Sequence, residues 1–75
     1  MNTSSSNPVT FAILGFGHIG KRHSKAIIAH PNATLTAIAD IEPVSVEGVI
    51  IHKSLDSLLA SPQLPEVVCV CTPNG

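Results

Sequence analysis

The sequence predicts an α/β fold built on a parallel sheet, and three observations carry that reading. Short apolar runs rich in strand formers recur at residues 10–14, 35–39 and 67–71. Segments with helical spacing lie between them. The first run passes straight into a cluster of glycines, Gly15, Gly17 and Gly20. A strand buried on both faces reads as continuous apolar sequence rather than alternation, and residues 10–14 do so.

The elements follow in order. Residues 1–9, Ser- and Asn-rich, read as a disordered leader. After the strand at 10–14, a helix is expected over 18–30. Ile19, His23, Ala26, Ile27 and His30 fall at helical spacing and form its apolar stripe, with Lys21, Arg22, Ser24 and Lys25 largely off it. Pro31 ends the helix, because the residue before a proline disfavours helical backbone. Residues 35–39 make a second strand, closed by Asp40.

A third strand is expected at 49–52. Only residues 41–48 precede it, whereas a parallel crossover normally needs a dozen or more residues. The usual helix is therefore replaced by a loop, for which Pro43 and Gly48 speak. Ser54 reads as the N-cap of a short helix whose apolar face is Leu55, Leu58 and Leu59, and Pro62 ends it. Residues 67–71 form the last strand and run into the turn sequence Thr72-Pro73-Asn74-Gly75.

Composition bounds the function. The chain has 75 residues, 44% hydrophobic and 12% charged, with net charge −1. Ordinary soluble domains carry about 25% charged residues and run to about 100–150 residues. We therefore expect this chain to belong to a larger core, with residues 10–75 a partial domain. Arg22 is the only arginine, so no basic footprint for nucleic acid or an anionic membrane exists. No apolar run approaches a membrane span, and the start lacks the basic and apolar regions of a signal peptide, which points to the cytoplasm. Cys69 and Cys71, spaced C-x-C on a strand, share a face and read as two buried thiols.

The chemistry sits at Gly15-Phe16-Gly17-His18-Ile19-Gly20. This G-x-G-x-x-G follows a strand, opens a helix, and has an acid, Asp40, at the end of the next strand. That is the context of dinucleotide binding in a Rossmann-type sheet. Gly15 permits the tight turn, Gly17 lets a pyrophosphate approach the backbone, and Gly20 lets helix and strand pack closely. The helix N-terminus meets the phosphates, and Asp40 accepts from a ribose diol. A 2′-phosphate beside Asp40 would be repelled, and Ile41 and Glu42 add no cation, so NAD is expected over NADP. Lys53 is the objection, if its loop folds back. In a doubly wound sheet the first and fourth strands are neighbours, which sets Thr72, Pro73 and Asn74 opposite the glycine loop as cofactor contacts. The plainer readings are a structural glycine turn, a capping Asp40 and an ordinary turn after the last strand. His23 reads as a packing histidine facing the sheet, His18 lies at the helix start, and His30 and His52 have no evident partner. Nothing has metal-ligand spacing.

Together the Gly15-x-Gly17-x-x-Gly20-x-x-His23 motif, the Ala39-Asp40 strand end, the Ser54-Leu55-Asp56-Ser57-Leu58-Leu59 segment and the strand leading to Thr72-Pro73-Asn74 resemble the N-terminal half-domain of the Gfo/Idh/MocA oxidoreductases. The resemblance covers residues 10–75. It implies an NAD(P)-dependent enzyme acting on hydroxyl and keto groups of sugars, cyclitols and nucleotide sugars. It implies a C-terminal substrate domain, a small-molecule substrate held there, and a homo-oligomer in the full-length protein. It also implies that residues matching Gly15 to Gly20 hold the pyrophosphate, Asp40 the adenosine ribose, and Thr72 to Asn74 the nicotinamide side. The pattern is similar to that of bacterial members oxidising UDP-N-acetyl-hexosaminuronic acids. The family's catalytic lysine lies in a Glu-Lys-Pro motif beyond residue 75, so no catalytic residue is assigned here and these 75 residues alone are expected to be inactive. Two alternatives stay open: a non-catalytic NAD-binding regulatory module, and another Rossmann-type reductase.

Overall fold

A computed structural model describes residues 7–72. Its elements are β1 (Val9–Leu14), α1 (His18–Ala29), β2 (Ala33–Ala39), β3 (Ile50–His52), α2 (Leu55–Leu59) and β4 (Val67–Val70). The four strands form one parallel sheet in the order β3-β2-β1-β4. This is the α/β, Rossmann-type arrangement expected, with β1 and β4 side by side. β3 pairs parallel to β2, Ile38 opposite Ile51, although the connection between them holds no helix. Gly48, at φ +78°, makes the turn in that connection.

Alternation along β1 divides the core between the two faces of the sheet. Ile13 packs with Ile27 of α1, Leu35 and Ile38, and Val44, Val46 and Val49 of the crossover cover the same side. Ala12 packs with Ala37, Ala39 and Leu58 of α2 on the other. Leu35 and Ile38 share a face because the β1–β2 register shifts: Phe11 pairs with Leu35, but Ala12 pairs with Ala37. Thr36 is the extra residue of this bulge, and its hydroxyl donates to the Phe11 carbonyl at 3.2 Å.

Three expectations need correction. The buried stripe of α1 is Gly20, Ser24 and Ile27, while Ile19, His23 and Ala26 are exposed. The helix is turned so that Gly20 faces the sheet, since only a glycine allows the close approach described below. Buried Ser24 satisfies its hydroxyl by donating to the Lys21 carbonyl at 2.8 Å. His23 therefore does not pack against the sheet, and His30 caps the helix in extended backbone instead of continuing it. In α2 only Leu58 is buried; Leu55 and Leu59 are exposed. A helix of one and a half turns seats one side chain on the sheet and leaves its neighbours at the rim. The two thiols do share the α1 face, but both are free and half-buried rather than buried. β4 is an edge strand, and part of each face beside it lies open.

Ser54 caps α2 as expected, its hydroxyl accepting from the Ser57 N–H at 3.1 Å. Leu58 is fully buried and is the one α2 side chain in the core. Leu58→Ala should therefore cost about 2–5 kcal/mol. The midpoint of urea unfolding measures it; a shift of under about 1 kcal/mol would show that α2 is not part of the cooperative core.

Candidate cofactor-binding site

The site forms where β1 ends. Gly15 takes φ +91° and its N–H donates to the Ala39 carbonyl at 2.8 Å, tying the turn to the end of β2. A side chain is excluded at Gly15 twice over. The backbone angle disfavours it, and a Cβ would sit 2.9 Å from the Thr72 methyl and 3.0 Å from the Thr72 nitrogen. A Cβ on Gly20 would fall well inside contact distance of the Gly15 carbonyl oxygen. Here the third glycine admits the carbonyl of the first.

Gly17 differs. It is the N-cap of α1, and nothing lies within 4 Å of where its Cβ would be. The first intrahelical bond runs from Lys21 N–H to the Gly17 carbonyl, no side chain caps the helix, and no acid sits in its first turn. The His18, Ile19 and Gly20 N–H groups thus lack intrahelical partners, and the positive dipole end is uncompensated. Open space over Gly17 beside such a terminus fits a phosphate group.

A cleft of about 510 Å³ opens over the strand ends. Its size is that of a small-ligand pocket, about 300–1,000 Å³. Gly15, Phe16 and Gly17 form one wall, Asp40, Ile41 and Glu42 follow β2, Lys53, Ser54 and Leu55 come from the β3–α2 corner, and Cys71 and Thr72 follow β4. Gly15, Phe16, Gly17, Asp40 and Thr72 are thus brought together in one cleft. His18 and Ile19 do not line the cleft and are exposed; Gly20 is buried beneath the turn. Pro73 and Asn74 lie outside the described residues. The lysine at 53 and the Ser54-Leu55 pair were not assigned to the cleft from sequence. The signal for them was topological: every strand of a parallel sheet delivers its following residues to the same end.

Asp40 is held by the backbone. Its Oδ2 accepts from Phe16 N–H at 2.6 Å and its Oδ1 from Glu42 N–H at 2.9 Å. The Glu42 bond, then the Phe16 bond, holds the carboxyl below its ordinary value, against a smaller opposing effect of burial. Burial first, and then the neighbouring Cys69, pushes the Cys71 thiol up, which keeps it protonated in the cleft wall. Among the described residues no group of three His, Cys, Asp or Glu could hold a metal, and no helix is long and apolar enough to cross a membrane.

Two expected outcomes follow from this geometry. Gly17→Ala should cost at most about 1 kcal/mol of stability, since alanine is a poorer N-cap than glycine, yet weaken NADH binding at least about ten-fold, because the methyl fills the phosphate space. Gly15→Ala should instead lower stability by about 1–3 kcal/mol. Thermal unfolding and NADH fluorescence titration of both variants separate the roles. The second outcome concerns pH. The folded pKa of Asp40 is depressed, so its stabilisation is present above the unfolded value of about 3.9 and is lost as pH falls through the folded value. Asp40→Asn should flatten the acid limb of the stability profile below about pH 4; an unchanged slope there would show that the carboxylate contributes nothing.

Comparison with known proteins agrees with this construction. The family model described as "Oxidoreductase family, NAD-binding Rossmann fold" (GFO_IDH_MocA) matches residues 9–75. The inositol 2-dehydrogenase of Rhizobium meliloti (strain 1021) is 36% identical over 71 residues, covering 88% of this chain and 21% of the relative. The chain thus spans about a fifth of the length of that curated relative. No solved structure matches it. A glycine turn that only glycine can make, an open helix terminus, an acid at the end of β2 and a family match from residue 9 to residue 75 lead to one conclusion: the chain belongs to the Gfo/Idh/MocA oxidoreductases, in their NAD-binding Rossmann domain.

Proposed function

We propose that this chain supplies the dinucleotide seat of an NAD-dependent dehydrogenase whose substrate is a polyhydroxylated ring of the cyclitol or sugar class. The observation that carries the seat is the open space over Gly17, in the same cleft that Asp40 lines. The cyclitol side of the proposal rests on the likeness to an inositol 2-dehydrogenase.

The chain's own residues bind and orient. The α1 terminus receives the pyrophosphate, Asp40 receives the adenosine ribose, and Ile41 and Leu55 offer apolar walls for the base. Thr72 stands against Gly15, on the side where the nicotinamide would extend. The nicotinamide, when bound, supplies the hydride acceptor. Substrate and the proton-transfer group belong to the remainder of the whole enzyme, a homo-oligomer of the cytoplasm on this reading.

The ionised Asp40, with Glu42 on the same wall, disfavours a 2′-phosphate; Lys53 also lines the cleft and offsets part of that repulsion. NADH should bind at least about ten-fold more tightly than NADPH, about 1.4 kcal/mol. Fluorescence titration of the full chain with both nucleotides decides this. Equal or tighter NADPH binding would sink the NAD preference, and binding of neither would sink the seat itself. In the whole enzyme, reduction of NAD with myo-inositol, followed at the nicotinamide absorbance, tests the substrate class.

A further inference from the structure

The Phe16–Asp40 bond joins the glycine loop to the end of β2. Phe16 lies between Gly15, whose φ is +91°, and Gly17, over which space is open. The loop therefore has one side-chain tether at the very residue that precedes the phosphate position. We infer that Asp40 is a positioning residue for the glycine loop as well as a ribose ligand: its carboxylate sets the loop before any nucleotide arrives. The ribose half of this rests on the NAD-binding reading above; the loop-setting half concerns the free chain alone.

The acceptor count supports both duties at once. An ionised carboxylate offers about four acceptor positions on two oxygens. One position on Oδ2 is taken by Phe16 and one on Oδ1 by Glu42. With the weaker bond from the Ile41 N–H counted, one position remains, enough for one hydroxyl of the ribose diol. Ribose can thus bind without the loop being released. Asparagine cannot reproduce this. Its single oxygen serves one of the two N–H groups, and its amide NH2 then faces the other, donor against donor. Replacement of Asp40 by a neutral residue tolerant of a 2′-phosphate likewise removes at least one of the two acceptor oxygens. Selectivity at the ribose and the seat of the phosphates are coupled through one side chain.

Amide hydrogen exchange on the full chain without nucleotide is the first measurement. Phe16 N–H should exchange at least about ten-fold more slowly than the His18 and Ile19 N–H groups of the open helix turn, and Asp40→Ala, which removes both acceptor oxygens, should abolish the difference. The second measurement uses 2′,3′-dideoxy-ADP, which carries a diphosphate but no ribose hydroxyl. Its Kd should rise about ten-fold or more in Asp40→Asn, along with that of NADH. Phe16 exchanging as fast as His18 in the unaltered chain overturns the inference. So does an Asp40→Asn chain that loses NADH but keeps dideoxy-ADP, since Asp40 would then serve the ribose only. If the Asp40 variants do not fold, Phe16 protection in the unaltered chain decides alone. If the unaltered chain binds neither nucleotide, the NAD reading fails while Phe16 exchange still decides the positioning role.

Discussion

The distance of closest approach between Gly20 and the Gly15 carbonyl governs most of what lies around it. Because no Cβ intervenes, α1 starts almost on top of the turn that leaves β1. That placement sets the rotation of the helix, which buries Gly20, Ser24 and Ile27 and turns Ile19 and His23 outward. It also aims the free N–H groups of the first turn over the strand ends, where the second, third and fourth strands deliver Asp40, Lys53 and Thr72. Packing and binding geometry are here one constraint. A helix held a side chain's width further away would still cover the sheet, but its terminus would miss the cleft.

Much of this was legible from residue types. Continuous apolar runs identified β1, β2 and β4, and the glycine spacing with Asp40 identified the cleft and its ligand. What escaped was the face of α1. Hydrophobic periodicity selects the stripe with the most apolar side chains, and residues 19, 23, 26, 27 and 30 were a fair choice on that basis. The helix instead obeys a steric demand in which a glycine and a serine outrank an isoleucine, and hydropathy carries no sign of it. The same limit hid the carboxylate's backbone partners. A sequence shows that an acid stands at a strand end, not which N–H groups the neighbouring loop will point at it. The bulge at Thr36 was likewise invisible, since residues 35–39 read as one uninterrupted strand.

The two faces of the sheet are unequally served. The α1 face has a 12-residue helix and the valines of the crossover, whereas the opposite face has the five residues of α2. Val70 stays 69% exposed on the edge strand, and the low share of charged residues matches such open apolar surface. Small apolar residues compensate in part. Ala12, Ala37 and Ala39 lie beneath Leu58, and their short side chains let one leucine cover them. The binding cleft draws on both faces, so its integrity depends on the thin side as much as on the thick one.

The bulge at Thr36 has a consequence of parity. Side chains along a strand alternate between two sides, and one added residue exchanges them for everything that follows. Leu35 and Ile38 face α1 together only because Thr36 stands between the two registers. Counted onward from Ile38, Asp40 falls on the side of the glycine loop; with Thr36 removed and residues 33–35 kept in register, it would fall on the other. The strand's length is thus a piece of information in its own right. Position 36 contributes no atom to the cleft, yet it determines on which side of the sheet the negative charge is displayed.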